Sequence, residues 1–333
     1  MPRLASAALA CLALAGAFAN AEPDAPEPPR PTPIAERNAA VAYQRAWLNA
    51  PSEIADRVFR QRTINDPPAP TGDELAAMLA TDTGQAFIAD LLYAATLDRC
   101  DFESRTEFGI MATLPHVRYA IKSGELLLAD ADRLVQAGET RAGVDRITAA
   151  FLLAHHLAEG DSFVTSMAAG RLAVQASEHV VDLAERGALD ADDRDALRSA
   201  LARFDASDPF HTRLAVLFVD VAIANSVPEL LAGDRETAGG FDTFKHADHL
   251  PTVTPDERDR LLAEVRPWTD DVLDAWDTLD ALPRLRAIQR RVEQGDYGVL
   301  GQRGLPSLLR VHQQEGDWVA ALERARAALN DQG

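Results

Sequence analysis

The chain has 333 residues, 47% of them hydrophobic and only 6% aromatic, and its 52 acidic side chains against 33 basic ones leave a formal charge of −19. That apolar fraction excludes a disordered chain, and the acidic balance excludes a protein that grips nucleic acid by neutralising phosphates. Two cysteines are too few for a disulfide-built scaffold, and the length suffices for a core that needs neither metal nor cross-link.

Residues 1–21 open with Arg3, run through the apolar stretch Leu4–Phe18 and end in Ala19-Asn20-Ala21. An apolar run of this length closed by alanines at the −3 and −1 positions predicts a secretory signal peptide cleaved after Ala21, and hence an exported protein: periplasmic, envelope-bound or secreted. The run is short for a membrane span. Cleavage removes Arg3 and no acid, taking the charge from −19 to −20, and it also removes Cys11. Cys100 is then the single thiol of the mature chain, expected as a small buried hydrophobe. Residues 22–33 hold six prolines among acidic residues and predict an extended tether.

Beyond the tether the apolar period is helical. Two N-terminal helical segments precede a proline break at Asp66-Pro67-Pro68-Ala69-Pro70, after which Thr71-Gly72-Asp73 starts a new helix. Val117, Ile121, Gly124, Leu128, Ala131 and Val135 alternate spacings of three and four, which places one apolar stripe on a helix that Gly138 ends. Val144, Ile147, Phe151, Ala154 and Ala158 form the next stripe. Gly160-Asp161-Ser162 ends that helix and caps another, which runs through Leu172, Ala176, His179 and Leu183 to Gly187. Asp190 with Asp193, and Thr254 with Pro255 and Glu257, are two further start signals. Leu214–Ala224 is apolar on every side except Asp220 and predicts the most buried helix of the second half. With no run of alternating β-branched residues and no hairpin dipeptide, the expected fold is all-α: antiparallel helical hairpins stacked as a solenoid or irregular bundle, in regions 34–206 and 207–333.

Two resemblances bear on that architecture. Gly316-Asp317-Trp318-Val319-Ala320-Ala321-Leu322, followed by Ala325 and Ala328-Leu329, resembles the turn and second helix of a tetratricopeptide repeat, in which small residues let paired helices approach closely. Over residues 38–204, the order Asn38-Ala39-Ala40 with Trp47, Arg99-Cys100-Asp101-Phe102, Leu114-Pro115-His116 and His155-His156 is similar to uncharacterised exported all-helical proteins of planctomycete-type bacteria. Those proteins commonly carry Trp where this chain has Phe102. The resemblance implies an extracytoplasmic helical fold and no particular reaction.

Candidate chemistry is sparse. His155 and His156 are adjacent on one helix, with Glu159 four residues after His155 and His179 on the next helix, a set with ligand-type side chains for a metal. Adjacent histidines point about 100° apart on a helix, so a packed, hydrogen-bonded histidine is the competing expectation. His246-Ala247-Asp248-His249 offers a weak loop site or a solvated connector. Asp220, a carboxylate in an apolar helix, must be paired or protonated, and with 31 arginines against two lysines an arginine is the expected partner. Cys100 beside Asp101 would need a base or a helix N-terminus to become a nucleophile. Acids such as Asp190, Asp192, Asp193, Asp195, Asp256, Glu257 and Asp259 are expected in first turns of helices or on exposed faces.

No phosphate-binding glycine loop, dinucleotide fingerprint, nucleophile elbow or zinc-type cysteine pair is present, so no cofactor is expected. The favoured function is an exported helical scaffold that binds a protein or peptide partner, with no nucleic acid and no transmembrane span in the mature chain. The alternatives are a metal-dependent or hydrolytic enzyme built on the histidine helices, and a structural component of the cell envelope.

Overall fold

The computed structural model describes residues 38–60, 69–102, 114–204, 207–232 and 251–330. The expected signal peptide with Ala19 and Ala21, the expected tether, and the candidate residues His246, Asp248 and His249 lie outside them. Among the described residues there are fourteen α-helices and no strand, so the protein is all-α. No described helix is long and apolar enough to cross a membrane.

The chain enters through α1 (Ala39–Leu48) and the single turn α2 (Ser52–Ile54), which continues into a π-helical turn at Ala55–Phe59. Helix α3 (Gly72–Leu79) starts at Thr71 in a full capping box with Glu74, and α4 (Asp82–Ala95) starts at Thr81. Three long helices follow, α5 (Pro115–Gln136), α6 (Thr140–Ala158) and α7 (Phe163–Glu185), packed on one another. Gly138 ends α5 with φ +83°, which only glycine adopts cheaply, and the Glu139 N–H then reaches the Leu134 carbonyl. Ser162 caps α7, and Asp190 caps α8 (Ala191–Leu201) through the expected partner Asp193.

The second half comprises α9 (Thr212–Ala224), α10 (Val227–Ala232), α11 (Pro255–Trp276), α12 (Ala281–Gln294), α13 (Gly298–Gly304) and α14 (Leu309–Asn330). Thr254 caps α11 with Pro255 in its first turn. Two apolar cores form. One is built from α1–α8 and the loops around them, and the other from α9 to the start of α14. Helix α14 belongs to both: Val311 packs in the second core, and Trp318, Leu322, Ala325 and Leu329 pack in the first. Trp318 lies across Gly170 of α7, where a Cβ would come within 2.2 Å of the indole.

Two expectations need correction. Gly316 and Asp317 lie inside the continuous helix α14, so the tetratricopeptide-like turn is absent. A glycine costs a helix only about 1 kcal/mol, which the burial of Trp318 outweighs. Helix α9 is not buried all round, because Leu214, Leu217 and Val221 are exposed along one face. Asp193 lies in the first turn of α8 as expected, and there it is 2% exposed and accepts a bond from Arg141 at 3.1 Å.

Candidate functional site

The described residues line a cleft of about 500 Å³ where five stretches of chain meet. Arg99, Cys100, Asp101 and Phe102 come from the segment after α4, His116 from the first turn of α5, His156, Leu157, Glu159, Gly160 and Asp161 from the end of α6, and Leu214 and Phe218 from α9. Thr165 of α7 completes the wall.

Asn38 holds the first of these stretches in place. Its Oδ1 accepts the Ala40 N–H at 3.1 Å, capping α1, and also accepts the Asp101 N–H at 2.9 Å. Its Nδ2 donates to the Asp101 carbonyl at 3.0 Å, and Ala39 N–H donates to the Arg99 carbonyl at 2.8 Å. One asparagine thereby ties the start of α1 to a segment 63 residues away. Behind the cleft wall the rings run in near-parallel order. Tyr43 lies over Trp47 at 6.0 Å and 14°, Trp47 over Phe102 at 6.0 Å and 6°, and Phe102 over His116 at 4.5 Å and 6°. Trp47 Nε1 donates to Ser123 Oγ at 2.8 Å, so the buried indole leaves no polar atom unpaired.

Burial shifts four titratable groups of the wall. His156 Nε2 meets the Leu97 carbonyl at 2.9 Å, which can only accept, so Nε2 carries the proton and Nδ1 accepts from the Tyr43 hydroxyl at 3.2 Å. Burial, with the neighbouring His155 adding to it, pulls the His156 pKa down to about 4. Burial also pulls His116 down to about 4. His116 is 8% exposed, and its Nε2, shut off from solvent, has no hydrogen-bond partner among the described residues. Cys100 is 9% exposed, and burial, followed by the negative charges of Glu159 and Asp101, pushes its thiol far above the ordinary range. Glu159 accepts the Cys100 backbone N–H, yet burial still raises its carboxyl.

The sequence candidates therefore divide. Cys100, His156 and Glu159 line one cleft, but His155 and His179 do not join them. His155 packs edge-on to Phe204 at 5.8 Å, and His179 lies 3.3 Å from Asp132 with its Nδ1 2.8 Å from the Gln175 carbonyl. The meeting of His155 or His156 with His179 that the metal-site alternative requires does not occur; His156 is a packed histidine with both nitrogens engaged within the fold. No group of three or more metal-ligating side chains is assembled among the described residues. Asp220 accepts from Thr269 Oγ1 at 2.8 Å rather than forming an ion pair, and burial raises its carboxyl with Arg266 acting in the opposite direction.

With a protonated thiol and two neutral imidazoles, the cleft has hydrogen-bonding surface and no activated nucleophile. Tyr43 and His116 were not singled out as candidates from the sequence. Their signal was present in Asn38-Ala39-Ala40 and Leu114-Pro115-His116, which flank or hold residues of this wall. A second groove of about 240 Å³ lies between α7 and α14, lined by Glu178, Asp182, Glu185 and Arg324 among others. No protein-family model, curated protein or solved structure matches the chain.

Proposed function

We propose that the protein is an exported helical scaffold that binds a peptide segment of a partner protein, and that the segment lies in the cleft and along α9. The observation that carries this reading is the continuity of the two surfaces: Leu214 lines the cleft and is 36% exposed, while Leu217 and Val221 continue the apolar face beyond it at 50% and 42%. Apolar side chains repeating along one helix face beside a cleft of this size fit the grooves that receive peptide side chains. The export part of the reading rests on residues 1–21 and on the resemblance to exported helical proteins.

The test is a binding screen. Fluorescein-labelled heptapeptides that vary in apolar and charged positions are titrated with the protein and followed by anisotropy. The expected result is micromolar binding by an apolar-containing subset, weakened at least about tenfold by Leu217→Asp. Binding unchanged by that substitution, or no binding by any peptide up to about 1 mM, refutes the reading. Export is checked separately by fractionation and N-terminal sequencing, with Glu22 expected as the first residue.

A further inference from the structure

Where α9, α11 and α14 meet, a buried carboxyl group touches a hydroxyl that also touches a second carboxylate. We propose that Glu315 is carried protonated in the folded chain and works as a proton-operated latch, closing this joint while the proton is held and loosening it as rising pH removes the proton. The latch stands whether or not a peptide occupies the cleft.

Thr212, buried in the first turn of α9, has its Oγ1 in hydrogen-bond contact with Glu315 Oε1 and, at 3.0 Å, with Asp208 Oδ1. A threonine hydroxyl has one hydrogen to give, and an ionised carboxylate has none. With both acids ionised, one of the two contacts would set oxygen against oxygen with no hydrogen between them. A single added proton satisfies the whole row: one carboxylic acid donates to Thr212 Oγ1, and Thr212 donates to the other carboxylate.

The surroundings assign that proton to Glu315. Asp208 already accepts the backbone N–H groups of Thr212 at 2.8 Å and Arg213 at 3.2 Å, a pair of donors that a carboxylate serves better than a carboxylic acid. Glu315 is 9% exposed, and its Oε2 accepts from the neutral Trp276 indole at 2.8 Å. The charged and titratable groups that bear on it are Asp208 and Arg213 beside α9 and His312 on its own helix. The Arg213 guanidinium is bonded to Asp277 and to the Ser207 carbonyl, and His312 Nδ1 lies 3.9 Å from Oε2, too far for a hydrogen bond. Burial lifts the Glu315 carboxyl above its ordinary range and the charge of Asp208 adds to that, against Thr212, Trp276 and Arg213.

The joint is mechanical as well as electrostatic. Thr212 opens α9, Trp276 closes α11, and Glu315 belongs to α14, the helix that both cores share. An ionised Glu315 would face the Asp208 carboxylate across one hydroxyl, so the joint must part for water to reach the new charge. The folded chain holds a proton that an unfolded glutamate releases near 4.5. The latch therefore contributes stability that is fully present below pH 4.5 and is lost as pH rises through the folded value.

The experiment compares the full chain with Glu315→Gln, whose amide can donate to Thr212 and accept from Trp276 but has no proton to lose. Urea unfolding of both from pH 4 to 8 gives the ratio of their unfolding constants, in which contributions common to the two chains cancel. The parent should lose ground to the variant as pH rises above 4.5, by up to about tenfold per pH unit, the limit for one proton. Glu315→Leu, also without a proton to lose, should give the same pH course if the glutamine variant folds poorly. With 5-fluorotryptophan in place of the four tryptophans, the Trp276 resonance, assigned with Trp276→Phe, should move over the same pH range in the parent and stay still in Glu315→Gln. A ratio that is constant with pH, or one in which the parent gains as pH rises, overturns the protonated Glu315. A changing ratio with a Trp276 resonance that does not follow it overturns the latch.

Discussion

Truncating Asp130 to alanine should destabilise the protein more than any substitution in the cleft. Asp130 is 0% exposed on α5, and three side chains converge on its carboxylate. Arg133 Nε donates at 2.9 Å, Arg146 Nε at 3.0 Å and Gln85 Nε2 at 3.2 Å, which ties α4, α5 and α6 through one group. The arginines are themselves 24% and 14% exposed, so Asp130→Ala leaves two largely buried cations that water reaches poorly. Summing the individual bonds would count the same desolvation more than once. Breaking a buried ion pair by removing one partner costs about 3–5 kcal/mol, and that range is expected here. For a chain of this size, unfolding as one unit, it corresponds to a fall in Tm of about 4–8 °C. Asp130→Asn keeps an oxygen acceptor and should lose less. The assay is urea unfolding followed by tryptophan fluorescence, with Arg146→Ala and the double variant closing a cycle. A loss under about 1 kcal/mol for Asp130→Ala, or no coupling to Arg146, refutes the account of α4–α6 as locked by this carboxylate.

Three further outcomes are expected. His116 and His156 have pKa values lowered to about 4 from an ordinary 6.5, so the unfolded chain takes up their protons first; their stabilisation is present above pH 6.5 and lost as pH falls toward 4. His179 runs the other way: burial disfavours its imidazolium, but Asp132 and the Gln175 carbonyl together raise its pKa, giving stability present below 6.5 that fades as pH rises through the folded value. Stability measured from pH 4 to 8 should therefore fall less steeply toward acid in His116→Phe than in the parent, and His179→Asn should lose the stabilisation by Asp132 that the parent shows at low pH, the two chains converging as pH rises. Gly170→Ala should cost about 1–3 kcal/mol, because the new Cβ meets the Trp318 indole at 2.2 Å, and Trp318→Leu in the same chain should recover part of it in a thermal melt. The Cys100 thiol, buried and held protonated, should resist iodoacetamide in the native protein at pH 7.5 and react on unfolding; rapid native labelling would show that the wall formed by α1 and the 99–102 segment opens in solution.

The acids illustrate how much of the site was legible beforehand. Asp220 stood out because its neighbours in sequence are apolar, yet it sits part-buried at the edge of α9 with a threonine partner. Besides Asp193, the carboxylates that a solvated face does not explain include Asp130 and Glu315, the latter 9% exposed and bonded by Thr212 and by Trp276 Nε1 at 2.8 Å. Their spacing carried the signal: Asp130 falls between Leu127 and Leu134, and Glu315 between Val311 and Trp318, each on a buried helical stripe. A count by period rather than by immediate neighbours points to both.

Helix content and many helix ends depend on interactions within four residues, so the sequence by itself determined them. The stripes of α5, α6 and α7, the caps at Ser162, Asp190 and Thr254, and the stop at Gly138 all lie where spacing and capping chemistry put them. Whether Gly316-Asp317 turns or stays helical was not local, because the burial of Trp318 against Gly170 decides it. The cleft was less local still. Asn38, Cys100, His116 and His156 become neighbours only once α1, α4, α5 and α6 have packed, and their burial, which keeps His116 and His156 neutral and the thiol protonated, is a property of that packing. A side chain's charge and reach depend on what surrounds it in space, and only the tertiary structure decides that.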